Sequence, residues 1–154
     1  MCTLERIATY YRYQQWANRR IFEAAERAPF EQLTVPVLSG FDPVRSALVH
    51  TMWAQRFWLH RFQGLSRVPE FEPAHFPDLA SLRQRWEEID TETVAFIETL
   101  TDERLAEGDP PLWRAMLHQA NHQTYHRGEI AAVLTHLDAS PGELDLNRMY
   151  DGRR

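Results

Sequence analysis

The sequence predicts an all-α protein folded as a four-helix bundle. Four stretches of about 20 to 27 residues repeat their apolar residues with helical spacing, and no segment alternates convincingly as a strand would. Helices of these lengths span roughly 30–40 Å each, and such matched lengths suit a bundle. The chain of 154 residues is long enough to bury a core without disulfides, so we expect one domain, residues 1–154.

The first two helices are delimited by proline and glycine. The first is predicted over residues 4–28, because no glycine or proline interrupts its apolar pattern and Pro29 stops it. The second is predicted over residues 43–63, since a proline suits the first position of a helix and Asp42 can act as its N-cap. Gly64 then provides the stop.

The remaining helices follow a long connection. Residues 64–77 contain three prolines and read as a loop, long enough to run along the bundle and let the second and third helices lie parallel. Asp78 is the predicted N-cap of the third helix, which continues to Leu100. Residues 101–110 are predicted as a polar, turn-like segment. The fourth helix is predicted over residues 111–137, and a short terminal helix over residues 144–150.

The composition argues against several functional classes. With 17 basic and 22 acidic residues the formal net charge is −5, and the basic residues form no stripe, so we expect no nucleic-acid partner. No run of apolar residues is long enough for a membrane span, and the N-terminus does not read as a signal peptide. The single cysteine, Cys2, cannot form an internal disulfide, and its terminal position argues against a catalytic thiol. Together these features predict a cytoplasmic protein.

Three histidines, His118, His122 and His126, lie on one stripe of the fourth helix. Residues four apart are separated by about 40° around the helix and about 6 Å along it, so two neighbours can direct imidazole nitrogens at one ion. His118 and His126 are about 12 Å apart, which is too far to share an ion easily. The pair is therefore either 118/122 or 122/126, and the helical wheel turns this stripe toward the interior.

A third ligand must come from another helix, because two imidazoles alone bind a metal weakly. His50 is the best candidate, since it shares its side of the second helix with inward apolar residues. His60 is expected in solvent, His75 in the long loop, and His136 near the end of the fourth helix, where a cation suits the helix dipole. A di-iron carboxylate bundle is excluded, because the only Glu-x-x-His motif, residues 72–75, lies in the proline-broken loop.

The sequence around the histidine pair, Asn-His-x-x-x-His-Arg-Gly over residues 121–128, is the most specific feature of the chain. It resembles the signature helix of the DinB family (DinB/YfiT-like metalloenzymes). Residues 13–18 are similar to the Trp-Ala-Asn motif of that family's first helix. Residues 48–50 and 57–59 resemble its second-helix histidine and the Trp-Leu that follows. The tail, residues 142–147, is also similar, so the resemblance covers essentially the whole chain.

The resemblance implies a bundle with a long connection between helices two and three, commonly assembled as a homodimer. It also implies a divalent metal held by His50, His122 and His126, with His118 at a position that is often histidine without being a ligand. Zinc, nickel or similar borderline ions suit three imidazoles better than calcium or magnesium does. Characterised relatives include thiol-dependent transferases and isomerases, which use the metal to bind a low-molecular-weight thiol.

Two features depart from the family pattern. Glu129 occupies a position that is usually glutamine, about 20° from His122 on the helical wheel. It could orient a ligand, coordinate the ion or act as a general base, which makes it a candidate catalytic residue; a rim carboxylate paired to an arginine is an equal alternative. The segment 101–110 also looks short beside relatives that carry a small hairpin there.

The sequence therefore predicts a metal-dependent enzyme, a transferase or hydrolase that activates a thiol or water for a small-molecule substrate. Three imidazoles leave open positions on an ion, as catalytic sites do. Two alternatives stay open: a non-catalytic metal-binding protein of a stress response, and a metal-free bundle whose histidines are hydrogen-bonded core residues. The inward and aromatic residues of helices one and four also predict a homodimer.

Overall fold

The computed structural model describes residues 3–151, so Cys2 lies outside the described residues. Within that range the chain forms seven α-helices and one short 3₁₀ turn, Pro73–His75, and no strand. The helices are α1 (Leu4–Ala25), α2 (Phe30–Leu33), α3 (Val44–Phe62), α4 (Leu79–Glu98), α5 (Asp102–Ala106), α6 (Leu112–His136) and α7 (Leu146–Asp151). The predicted all-α fold is confirmed, and its four long helices are α1, α3, α4 and α6.

The helix boundaries follow the predicted signals to within a few residues. The Asp78 carboxylate accepts the backbone N–H of Ser81 at 2.7 Å, which confirms Asp78 as the N-cap of α4. The prediction that Asp42 caps α3 is wrong, because Pro43 has a non-helical ψ of 138° and is itself the cap residue. Helix α1 ends at Ala25, three residues earlier than predicted, and the chain continues in turns to the proline.

Two short helices, α2 and α5, were not predicted. They contain four and five residues, which is too short for helical periodicity to show in a sequence. Segment 101–110, predicted as a turn, begins with Thr101, whose hydroxyl oxygen accepts the backbone N–H of Arg104 at 3.2 Å and caps α5. Leu33 and Leu105 are fully buried, so packing on the bundle stabilises both helices.

Helices α3 and α4 are parallel neighbours. The Gln55 amide of α3 donates to the Asp90 carboxylate of α4 at 2.8 Å, and further along, Phe62 stacks on Phe96 with ring centroids 6.2 Å apart. The residue numbers of contacting pairs increase together on the two helices, so α3 and α4 run parallel, as the length of the connection allowed. The connection, residues 63–78, therefore returns along the length of the bundle.

Helices α1 and α6 are also parallel to each other. The Tyr11 hydroxyl donates to the carbonyl of Met116 at 3.2 Å, and Arg127 donates to the side-chain oxygen of Asn18 at 3.1 Å. Between α3 and α6 the order reverses, since Gln55 meets Gln123 while Trp58 meets His118. The bundle is therefore up-down-down-up, and α6 packs between α1 and α3.

The core consists of two main apolar clusters, each of which draws buried residues from all four long helices. A small third group, Tyr13, Ala17 and Met149, joins α1 to α7. No helix of the described chain is long and apolar enough to cross a membrane. The larger cluster includes Ile21, Leu48, Met52, Leu82, Trp86, Ile130 and Leu134, and the smaller one includes Ile7, Tyr11, Phe62, Ile97, Leu105 and Met116.

A buried polar layer centred on Gln55 separates the two clusters along the helices. The Gln55 side-chain oxygen accepts from the Trp86 indole at 2.8 Å and from the Gln123 amide at 2.6 Å. Its amide donates to the carboxylate of Asp90 at 2.8 Å and the hydroxyl of Thr93 at 3.2 Å. Both lone pairs and both protons of the amide are used, so Gln55 ties α3 to α4 and α6.

Asp90 makes the stability of this layer dependent on pH. Burial raises the pKa of Asp90 from its usual value near 3.8 to about 6, so ionisation is less favourable in the folded chain than in the unfolded one. The layer is therefore most stable below about pH 4 and loses stability as the pH rises through 6. We expect Asp90→Asn to be about 1–2 kcal/mol more stable than the native chain at pH 8, and equally stable at pH 4.

Urea unfolding at the two pH values measures this difference. Asp145→Asn, a substitution at an exposed carboxylate, is the matched control, and its stability should follow that of the native chain at both pH values. A destabilised Asp90→Asn protein at pH 8 would show instead that the ionised carboxylate supports the layer.

Candidate metal centre

Three histidines converge where α3 passes α6. His50, His122 and His126 each offer one ring nitrogen, and these atoms all lie within 4.8 Å of one another. The ring centroid of His50 lies 5.6 Å from that of His122 and 5.0 Å from that of His126. All three residues are partly accessible to solvent. The structure thus brings together the three residues that the resemblance implied as a ligand set.

The local geometry follows from helix spacing and helix direction. His122 and His126 are four residues apart on α6, and their Nε2 atoms lie 3.2 Å from each other. Helix α3 crosses beside them in the opposite direction, so the early part of α3, with His50, meets the later part of α6. The pair is therefore 122/126 rather than 118/122.

Glu129 holds one ring of this group in a defined protonation form. The Nδ1–H of His126 donates to the Glu129 carboxylate at 2.7 Å. Nε2 of His126 then keeps its lone pair and faces Nε2 of His122. Carboxylates bonded in this way to the outer nitrogen of a histidine orient and strengthen metal ligands. Tyr125 adds a hydrogen bond to the same carboxylate, which raises the pKa of its phenol.

The environment keeps the imidazoles of His50 and His122 neutral. Burial, reinforced by the neighbouring His126 and His50, lowers the pKa of His122 to about 4. Burial likewise lowers the pKa of His50, again with a contribution from His126. Neutral imidazoles present free lone pairs at pH 7, as ligands of a divalent ion must. The donor set therefore fits such an ion.

An open cavity adjoins the histidines. It has a volume of about 340 Å³ and lies between the start of α3 and the second half of α6. Two acidic side chains, Asp42 and Glu129, stand beside His50 and His126 in its wall, which gives the cavity an anionic rim. A small molecule could approach the three nitrogens from this side. The other lining residues are Gly40, Phe41, Val44, Ala47 and Ile130.

The remaining histidines lie outside this group. His118 is exposed and packs edge-on against Trp58 at 5.2 Å, so the predicted inward orientation is wrong for this member of the stripe. His60 pairs with the carbonyl of Ser66 at 3.1 Å. His75 is exposed in the 3₁₀ turn, and His136 is exposed in the last turn of α6.

The sequence model of the DinB family matches residues 1–153, essentially the whole chain. The chain belongs to the DinB family. A search of the curated proteins finds no significant match. In this DinB protein the first-helix motif packs against one side of α6, and the motif histidines are the three that converge between α6 and α3.

Arg127 follows the second histidine of the DinB motif, and its side chain packs on the side of α6 that faces α1. Its side chain is only 2 % exposed, donates to Asn18 and Thr124, and lies 5.4 Å from the ring centroid of Tyr13. Asn18 and Tyr13 belong to the first-helix segment that resembles the family. This buried cation anchors α6 to α1 and thereby keeps the histidine face turned toward α3.

Three contributors to the centre were missed by sequence reasoning. Asp42 and Phe41 line the cavity from the irregular segment before α3, and no local pattern marks such a contribution. Tyr125 could have been found, because it stands four residues before Glu129 on α6 and such pairs face each other on a helix.

Glu129→Gln is expected to keep the metal but bind it more weakly. A glutamine oxygen can still accept the His126 proton, whereas the negative charge is lost, so we expect affinity to fall about tenfold. Glu129→Ala removes the acceptor as well and should cost up to about 100-fold. Competition titration against a chromophoric chelator measures both. Glu23→Gln on α1 is the control, and equal affinities for all four proteins would contradict the orienting role.

Proposed function

We propose that this DinB protein is a metal-dependent enzyme in which His50, His122 and His126 hold zinc or nickel. The observation that carries the proposal is the convergence of three ring nitrogens beside an open cavity. Three neutral imidazoles suit borderline ions, and they leave coordination positions free for a small molecule.

Such an ion, when bound, lowers the pKa of a thiol or a water molecule and provides a nucleophile near neutral pH. The chain itself positions the reactants. Glu129 fixes the His126 ring, and the anionic rim formed with Asp42 favours a cation in the cavity. With a low-molecular-weight thiol the reaction is a group transfer or an isomerisation, and with water it is a hydrolysis. We further propose that Glu129, which lines the cavity, exchanges a proton with the substrate there.

A second candidate is a non-catalytic metal-binding protein of a stress response. Sequestration requires a closed coordination shell, with a fourth ligand from the protein. The group found among residues 3–151 contains three residues and adjoins a cavity of about 340 Å³, which favours the enzyme. We further propose a cytoplasmic homodimer with a small-molecule substrate and no nucleic-acid partner.

Metal analysis combined with thermal unfolding tests the proposal. An ion present at about 1,000 times its dissociation constant stabilises the fold by about 4 kcal/mol, so a chelator should lower the Tm by roughly 8–16 °C in a chain of this size. Readdition of zinc or nickel should restore the Tm, whereas magnesium should not. A screen of thiol cosubstrates against electrophiles, alongside hydrolytic substrates, then separates transfer from hydrolysis. A Tm insensitive to chelator would overturn the metal site.

A further inference from the structure

A second pocket lies beyond the histidine stripe, where α3 ends and α6 begins. It has a volume of about 670 Å³, and α3, α6 and the segment around α5 form its walls. We name it the arginine pocket after three of its residues, Arg61, Arg104 and Arg114, which come from three different helices. Trp58 and His118 complete the wall nearest to the metal centre.

The charge of this pocket opposes that of the whole chain. Three guanidinium groups and one carboxylate, Glu107, line it, although the formal net charge of the protein is −5. Arg104 pairs with Glu107 at 2.6 Å. Arg61 and Arg114 have no carboxylate within salt-bridge distance in the part of the chain that the structure describes. Two uncompensated cations that face one concave surface attract an anion.

The pocket also offers a rigid platform beside these cations. The Arg61 guanidinium lies 5.4 Å from the ring centroid of Trp58 and 5.8 Å from that of Phe57. Stacking restricts the guanidinium while leaving its N–H groups free to donate to a planar oxyanion. His118 also packs edge-on against Trp58 with ring centroids 5.2 Å apart, and Phe57 and Phe62 contact the same indole, so its position is restricted.

The arginine pocket and the metal centre share one seam between α3 and α6. The His118 ring of the pocket lies 6.5 Å from the His122 ring of the metal centre. Arg61 follows His50 by eleven residues and Arg114 precedes His122 by eight, which corresponds to roughly 12–16 Å along the helices. An elongated small molecule could therefore engage both ends of the seam.

We propose that the arginine pocket binds the oxyanion, a carboxylate or a phosphate, of an elongated substrate whose reactive end lies at the three histidines. This inference rests on the proposed function, because it names the class of molecule that the metal centre acts on. The anionic rim beside His50 disfavours a second oxyanion there, so the charge pattern also sets the direction of binding.

Nuclear magnetic resonance on the native chain tests the anion site without any activity assay. We expect methylphosphonate or succinate to shift the side-chain Nε–H signals of Arg61 and Arg114 and the indole signal of Trp58, saturably and with less effect at high salt. The probe that binds more tightly identifies the oxyanion as phosphate or carboxylate. The Arg12 signal, from an exposed arginine of α1, is the control. Shifts at Arg61 and Arg114 no larger than at Arg12 would overturn the proposal.

Arg61→Gln and Arg114→Gln should each weaken methylphosphonate binding about tenfold, while Arg12→Gln should not. All three changes are at exposed positions, so the folded structure is expected to persist. Binding that is equal in the native and variant proteins would place the anion elsewhere and overturn the proposal.

The distance from probe to metal separates this inference from the proposed function. In cobalt-loaded protein, phosphorus relaxation should place methylphosphonate roughly 12–16 Å from the ion. A phosphorus atom in direct contact with the ion would overturn the anion site while leaving the metal site intact. Conversely, if the protein binds methylphosphonate in the arginine pocket but takes up no metal, the proposed function is refuted. The proposal that the pocket serves a metal-dependent reaction is then refuted as well.

Discussion

We expect His122→Ala to abolish the proposed metal binding, which is the largest effect expected from a single substitution in the chain. The residue supplies the nitrogen that faces His126 at 3.2 Å, and without it two imidazoles from separate helices remain. Two ligands hold an ion weakly. We expect the affinity for zinc or nickel to fall by more than about 100-fold. This loss is larger than the loss expected when a residue that only orients a ligand is removed. His50→Ala and His126→Ala should have similar effects.

His118→Ala is the matched control, because it removes the same side chain from the same stripe one helical turn away. His118 is exposed and does not belong to the convergent group, so the ion should stay bound with unchanged affinity. Isothermal titration of the metal-free proteins with zinc measures both substitutions. Equal losses for His118→Ala and His122→Ala would show that the stripe, rather than the three-residue group, binds the ion.

The pH dependence of metal binding provides a further check on the same residues. Protons compete with the ion for the ring nitrogens, and an ordinary histidine takes up a proton near pH 6.5. Burial lowers the pKa of His122 to about 4, so this ligand stays neutral in mild acid. We therefore expect the centre to retain zinc at pH values where an exposed histidine pair releases it.

Gln55→Met is the second substitution for which we expect a large effect, on folding stability. Methionine has a similar volume but leaves the Trp86 indole and the Gln123 amide without their acceptor, and Asp90 without its donor. Each buried polar group left unpaired costs about 1–3 kcal/mol. Since the core can relax in part, we expect a loss of about 3–5 kcal/mol in the free energy of unfolding.

Urea unfolding at pH 7 measures this loss, and Gln84→Met on the exposed side of α4 is the control. The control should change stability by less than about 0.5 kcal/mol. A Gln55→Met protein as stable as the control would show that Trp86 and Gln123 find other partners, and that the polar layer contributes little to folding.

The sequence alone determined the fold class and the histidines from which the candidate centre is built. Helical periodicity and the proline and glycine stops defined the four long helices, and Asp78 was recognised as a cap. These are local properties, since spacing along one helix sets which residues share a face. The same rule identified the histidine stripe and His50 as the candidate third ligand, and the family resemblance grouped His50 with His122 and His126.

Only the tertiary structure decided which of these residues meet. Helix α3 runs parallel to α4 and antiparallel to α6. Because of this arrangement His50 meets His122 and His126, and His118 stays exposed. The partner of Glu129 and the cavity beside the histidines also depend on contacts between distant segments. Helix periodicity says which face of a helix is apolar, but not which neighbour covers it. That choice comes from the packing of all four helices together.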